Sequence, residues 1–200
     1  QMRALALLAW QEPAVVIANA EEVTQYVVSP HYLKGQSLHF ALNDAIERDV
    51  ALEQLVTIGY ERVDQVEQRG HFAVRGDILD IYPVNNDHPI RIEFFGDEID
   101  TLRFFSVENQ RSIEQIGSYT VTPFFLGKSD AESTLLSYVK EGTLIYDEPG
   151  RIQEALKKFL KEDPTHRKNH CDWNELQRTV DATNQVAFTF MQQRSIGLTG

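Results

Sequence analysis

The spacing of apolar positions changes twice along the chain, and each change marks a boundary. From Met2 to Trp10 helix-forming residues run without a break until Pro13 stops them, which predicts a short helix. Ala14-Val15-Val16-Ile17-Ala18 is then a continuous apolar run of the kind buried in parallel sheets, so a strand is expected there. A short helix over Asn19–Val27, stopped near Pro30, completes a first α/β stretch. After Gly35 the spacing predicts a strand over Ser37–Leu42. A helix follows, capped by Asp49 and closed by Gly59, with Leu52, Leu55 and Val56 on one face.

Between Tyr60 and Pro123 the period becomes two, the mark of a sheet with one covered face. Phe72 and Val74 are followed by Leu79 and Ile81 with a change of phase across Arg75-Gly76-Asp77, which predicts a β-bulge at the glycine. Ile90, Ile92 and Phe94 point one way and Arg91, Glu93 and Phe95 the other. Gly96-Asp97 then offers a tight turn into a further strand reaching Phe104, so the segment reads as a β-meander. The last third returns to α/β character. Thr143–Asp147 reads as a strand, and Pro149 opens a helix with Ile152, Leu156, Phe159 and Leu160 on one face, ended by Pro164. Val186–Met191 reads as another strand. The economical reading is an α/β domain built from both ends of the chain with a β-rich α+β domain inserted into it.

Composition narrows the function classes. The 200 residues carry 30 acidic and 19 basic side chains, a net charge of −11 that disfavours sequence-independent nucleic-acid binding by this chain on its own. Lys157, Lys158, Lys161 and the run His166-Arg167-Lys168 read as solvated faces. No apolar run approaches the ~18 to 20 residues a membrane span needs, and the single cysteine, Cys171, allows no internal disulfide, so a cytoplasmic location is expected. Met2–Trp10 contains Arg3 and lacks a small-residue cleavage site, so it does not read as a signal peptide. Gln1 is not a translation start, so a piece of a longer protein is expected.

Four motifs invite chemistry. Gly127-Lys128-Ser129 is the tail of a phosphate-binding loop, but its head is missing and Pro123-Phe124-Phe125 are too bulky to wrap a phosphate, so it reads as a linker. Asp147-Glu148 at the end of an apolar strand has the pattern of a Mg²⁺-holding and water-activating pair. Without a phosphate loop it reads as a helix start favoured by the helix dipole. His166, His170 and Cys171 lack the fourth ligand a zinc site wants and read as a polar loop, and no catalytic residue is assigned. Arg75, Arg91, Glu93 and Phe95 are placed by strand periodicity on one sheet face, and Arg with aromatic residues is hot-spot chemistry. The alternative packs Phe95 under the Leu52 helix and leaves both arginines in surface ion pairs. On the docking reading Arg91 presents a free fork of donors to a partner carboxylate, and Arg91→Ala should scarcely alter folding.

Three blocks are specific enough to resemble a known family. They are Gly59-Tyr60-Glu61-Arg62-Val63-Asp64, then Gly70-His71-Phe72-Ala73-Val74-Arg75-Gly76-Asp77 running on to Pro83, then Ile90-Arg91-Ile92-Glu93-Phe94-Phe95-Gly96-Asp97 running on to Asp100. They resemble the bacterial transcription-repair coupling factors (Mfd), and the excision-repair protein UvrB carries a related block. The Gly59–Asp64 block, Ala73 where UvrB tends to carry arginine, and Pro149 after the acidic pair favour the coupling factors.

The resemblance implies a degenerate RecA-like P-loop-type domain over residues 1–34 and 124–200, without ATPase function. It also implies an inserted UvrA-binding domain over residues 35–123. It places UvrA contacts on Arg75, Arg91 and Phe95, with Glu93 beside them, and makes Asp147 and Glu148 a vestigial nucleotide-site pair. The implied role is non-catalytic recruitment of UvrA in transcription-coupled excision repair, with no cofactor or metal in this segment. ATP and Mg²⁺, RNA polymerase and double-stranded DNA belong to the full-length motor. The alternative is a fragment of a UvrB-like ATP-dependent damage-recognition or helicase-type enzyme. The family's long helical segment after the position of Pro123 is replaced here by the short stretch Phe124–Ser133.

Overall fold

A computed structural model describes residues 1–125, 133–178 and 184–188. The chain divides into two compact units, Gln1–Val16 with Val28–Ala131, and Ile17–Val27 with Glu132–Gly200, and both mix helix and sheet.

In the first unit, α1 (Met2–Ala9) buries Leu5, Ala6 and Ala9 and packs against α3 (Pro30–Gly35). The start of α3 is fixed twice, by Pro30 in its first turn and by Ser29 Oγ accepting from Tyr32 N–H at 3.1 Å. β1 (Leu38–Ala41) pairs antiparallel with β8 (Ser118–Val121). Helix α4 (Arg48–Thr57) starts one residue before Asp49, which lies in the first turn. Its buried stripe is Ala51 and Leu55, while Val56 is 58% exposed, so the stripe lies one residue to the side of the expected one.

The sheet of this unit has six strands in the order β2 (Glu61–Arg62), β3 (His71–Arg75), β4 (Ile78–Ile81), β5 (Ile90–Phe95), β6 (Glu98–Phe105) and β7 (Ser112–Gln115). β3 to β7 form an antiparallel meander, and β2 joins β3 in parallel. One face carries Phe72, Leu79, Ile81, Ile90, Ile92, Phe94, Ile99 and Leu102, which pack with Phe40 of β1, Ala51 and Leu55 of α4, and Val121 of β8. Tyr60 ties this core together: its hydroxyl donates to Thr122 O at 2.8 Å and accepts from Val84 N–H at 3.3 Å.

The expected bulge at Gly76 is not there. Gly76-Asp77 is a two-residue hairpin turn with Gly76 at φ +59°, and the register pairs Val74 with Leu79 and Phe72 with Ile81. An even-numbered loop between directly paired strands produces the phase change that the spacing suggested. Register shifts fall instead at Asp100, which is skipped where Glu93 pairs with Thr101 and Phe94 with Ile99, and at Ile113, which is skipped where Phe104 pairs with Glu114 and Phe105 with Ser112.

The second unit is built around the parallel pair β9 (Thr143–Asp147) and β10 (Asn184–Phe188). β10 begins two residues earlier than expected, and the expected Thr189–Met191 end lies outside the described residues. α2 (Ala20–Thr24) is closed by a capping box, in which Asn19 Oδ1 accepts from Glu22 N–H at 2.9 Å and Glu22 Oε2 accepts from Asn19 N–H at 3.0 Å. The long helix α5 (Pro149–Glu162) buries Leu156 and Leu160, and α6 (His166–Asn169) and α7 (Trp173–Arg178) follow. Leu136, Cys171 and Leu176 form a small core with Val23, Tyr26, Leu144 and Trp173 around it.

The run Ala14–Ala18 forms no strand. Val15 and Ile17 are 91% and 93% exposed, because an apolar run becomes a buried strand only when neighbours supply both hydrogen bonds and cover. No helix among the described residues is long and apolar enough to cross a membrane.

Candidate functional site

The outer face of the meander is where the predicted residues meet. Two cross-strand rows define it: Arg75, Ile78, Glu93 and Thr101, and Ala73, Asp80, Arg91 and Arg103. Because the side-chain period of a strand is two, these residues point away from the core face. The β3–β4 turn is steadied from α4, where Arg48 Nη1 donates to Gly76 O at 2.9 Å.

Asp80 organises the face. It is 1% exposed, accepts from Arg91 Nε and Nη2 at 2.7 and 2.8 Å, and accepts from Arg75 Nη2 at 2.8 Å. The fork of Arg91 is therefore already filled: its side chain is 13% exposed, and its Nη2 also donates to Gln110 Oε1 at 3.0 Å. Its guanidinium lies 4.3 Å from the centre of the Phe105 ring. The Asp80 carboxylate pushes the Arg91 pKa up, against the opposing effect of burial. Beside it, Glu93 accepts from Arg103 Nη2 and from Thr101 Oγ1, the latter at 3.0 Å. The Arg103 guanidinium, more than any other neighbour, holds the Glu93 carboxyl below its usual range.

Two residues of the face stay open to a partner. Phe95, at the end of β5, is 83% exposed, so it does not pack under α4. The Arg75 side chain is 48% exposed, and with Arg62, Val63, Asp64 and Val74 it lines an open groove of about 680 Å³. The face thus combines an exposed aromatic ring, a half-exposed cation and a rigid ionic floor.

The acidic pair lies at the β9–α5 junction. Glu148 is the residue before α5, but at φ +53° and without a side-chain capping hydrogen bond, so the expected carboxylate cap is not made. Pro149 supplies the helix start instead. His166 stacks on Phe159 with ring centres 3.9 Å apart, and its Nδ1 contacts Phe159 O at 2.8 Å. His170 Nδ1 contacts His166 O at 3.0 Å, and burial raises the Cys171 thiol pKa to about 11. Gly127-Lys128-Ser129 lies outside the described residues.

Sequence reasoning missed Asp80, Gln110 and Arg103. Asp80 was legible in principle, since a two-residue turn at Gly76-Asp77 dictates that it sits opposite Ala73, on the face of Arg75. Gln110 reaches Arg91 from a loop, at φ +60°, and no periodicity signals that.

Comparison with known proteins falls on this same sheet. Residues 38–125 match the UvrB interaction domain family. The matched segment spans β1 to β8 and contains all four predicted face residues. Over 109 residues, 54% of the chain, it is 37% identical to the transcription-repair-coupling factor of Escherichia coli (strain K12), covering 10% of that protein. Over 110 residues, 55% of the chain, it is 41% identical to that of Mycobacterium bovis, covering 9%. The UvrABC system protein B of Campylobacter fetus is 34% identical over 146 residues, 66% of this chain and 22% of that protein. The chain therefore spans about a tenth of the coupling factors and about a fifth of the B protein that it matches.

Proposed function

We propose that this chain is part of a transcription-repair coupling factor and that its inserted domain, residues 35–123, docks UvrA during excision repair. The observation that supports this best is the exposed Phe95 beside Arg75, on the outer sheet face of the segment matching the UvrB interaction domain. Aromatic and arginine side chains at the centre of a contact carry a disproportionate share of binding energy. The flanking parts, residues 1–34 and 124–200, form a degenerate RecA-like domain in this reading. Asp147 and Glu148 mark the remains of its nucleotide site. The segment itself is non-catalytic and cofactor-free. ATP and Mg²⁺ serve the motor of the whole cytoplasmic protein, which meets RNA polymerase and double-stranded DNA through other parts.

A second reading, a piece of a UvrB-like ATP-dependent enzyme, draws on the UvrABC system protein B relative, whose similarity extends over more of the chain than the coupling factors' does. One pair of assays separates the two. Purified UvrA should be retained by the immobilised chain, and the chain should show no ATP turnover with or without DNA. Turnover that disappears in Lys128→Ala would establish the enzyme reading in place of recruitment.

A further inference from the structure

We propose that Asp80 is the positioning residue of the docking face, setting both the orientation and the net charge that it presents to UvrA. The inference rests on the docking reading above. One buried carboxylate serves two cations from two different strands: both its oxygens receive Arg91, and Oδ2 also receives Arg75. A bidentate charge-assisted pair fixes a guanidinium plane as well as its place. Arg91 is then locked from two further sides, by the Phe105 ring beneath and by Gln110 beyond.

The conformation of Gln110 argues that this lock is built rather than incidental. Gln110 is a non-glycine residue at φ +60°, held there while its Nε2 donates to Val107 O at 3.0 Å and its Oε1 accepts from Arg91. Left-handed backbone at a side chain of this kind persists where surrounding structure over-determines it. Arg75 is held differently. It is anchored by Nη2 alone and keeps half of its side chain in solvent, so Asp80 steers it without withdrawing it. Arg91 thus serves as the floor of the face, and Arg75 and Phe95 are the parts that reach a partner.

Asp80 also cancels one of the two positive charges. An acidic partner surface meeting Asp80→Asn would encounter more positive charge but less order. Association should therefore hold steady or quicken, and dissociation should quicken far more, because electrostatic steering acts on the on-rate and packed geometry on the off-rate. A loss of general fold integrity would not separate the two rates in that way.

The test measures association and dissociation rates of UvrA on the immobilised chain, with a thermal melt for each variant. Asp80→Asn should raise the dissociation rate at least tenfold without slowing association. Gln110→Gly relieves the strained backbone while removing the anchor, so it should raise dissociation severalfold with an undiminished melting temperature. It decides the matter if Asp80→Asn fails to fold. Unchanged dissociation in every folded variant, or a loss confined to association, overturns the positioning role. Failure of the wild-type chain to bind UvrA overturns the docking reading on which it rests.

Discussion

Gly59→Ala isolates how the end of α4 is locked to the chain that follows the sheet. Gly59 lies two residues past the end of α4, after the capping residue Ile58, at φ +92°, a backbone region that side chains rarely adopt, and its N–H donates to Val56 O at 3.0 Å. A Cβ built there would lie 2.9 Å from Phe125 N and from Phe125 Cβ, closer than real contacts allow. Phe125 cannot yield cheaply, since the Phe124 and Phe125 N–H groups both donate to Ile58 O, at 2.9 and 3.1 Å. The backbone conformation costs roughly 1–2 kcal/mol, and moving residue 125 forfeits about one hydrogen bond, roughly 1 kcal/mol more. The expected total is about 2–3 kcal/mol, or a fall of roughly 10 °C in melting temperature for a unit of this size. Gly76→Ala is the internal control. Gly76 also has positive φ, +59°, but no atom lies within 4 Å of its Cβ position, so only the conformational part, about 1 kcal/mol, should appear. Thermal and urea melts of both variants check this. Equal destabilisation, or a smaller effect at Gly59, would refute the steric argument.

Three further outcomes follow from the same structure. Glu148→Gly should stabilise the second unit by about 0.5–1 kcal/mol in a urea melt, because glycine adopts φ +53° without the strain that a side chain brings there. Glu93→Gln should cost about 1 kcal/mol at neutral pH. Since Arg103 depresses the folded-state pKa of Glu93, that contribution is present above the unfolded value of about 4.3 and lost as pH falls through the folded one. Melts of the wild type and the variant should therefore converge in acid. Arg91→Ala should destabilise by roughly 2–4 kcal/mol, contrary to the expectation for an exposed arginine, because it leaves Asp80 buried with Arg75 as its remaining arginine. An unchanged melting temperature would show that Asp80 does not need Arg91.

The sheet was legible because its signal is local and repeated. Ile90, Ile92 and Phe94 alternate with Arg91, Glu93 and Phe95 over six residues, and that alternation alone puts the charged set opposite the core. What escaped was whatever depends on a partner in space. Gly76 gave the same phase change as a bulge would, and only the pairing of Arg75 with Ile78 shows it to be a turn. Ala14–Ala18 carries the composition of a buried strand, yet Val15 and Ile17 stand exposed, since composition does not supply a neighbour. Arg91 reads identically in sequence whether its fork is open or filled. The side chain that fills it, Asp80, lies eleven residues earlier on the next strand.

Phe95 offers the most direct test of docking, because its ring can be removed without touching the Asp80 network. At 83% exposed it contributes little to folding, so Phe95→Ala should melt within about 0.5 kcal/mol of the wild type. If the ring anchors the partner, the same change should weaken UvrA binding to the immobilised chain by about 2 kcal/mol or more, roughly thirtyfold in dissociation constant. Wild-type binding that survives Phe95→Ala undiminished would contradict the account and move the docking site off this face of the sheet.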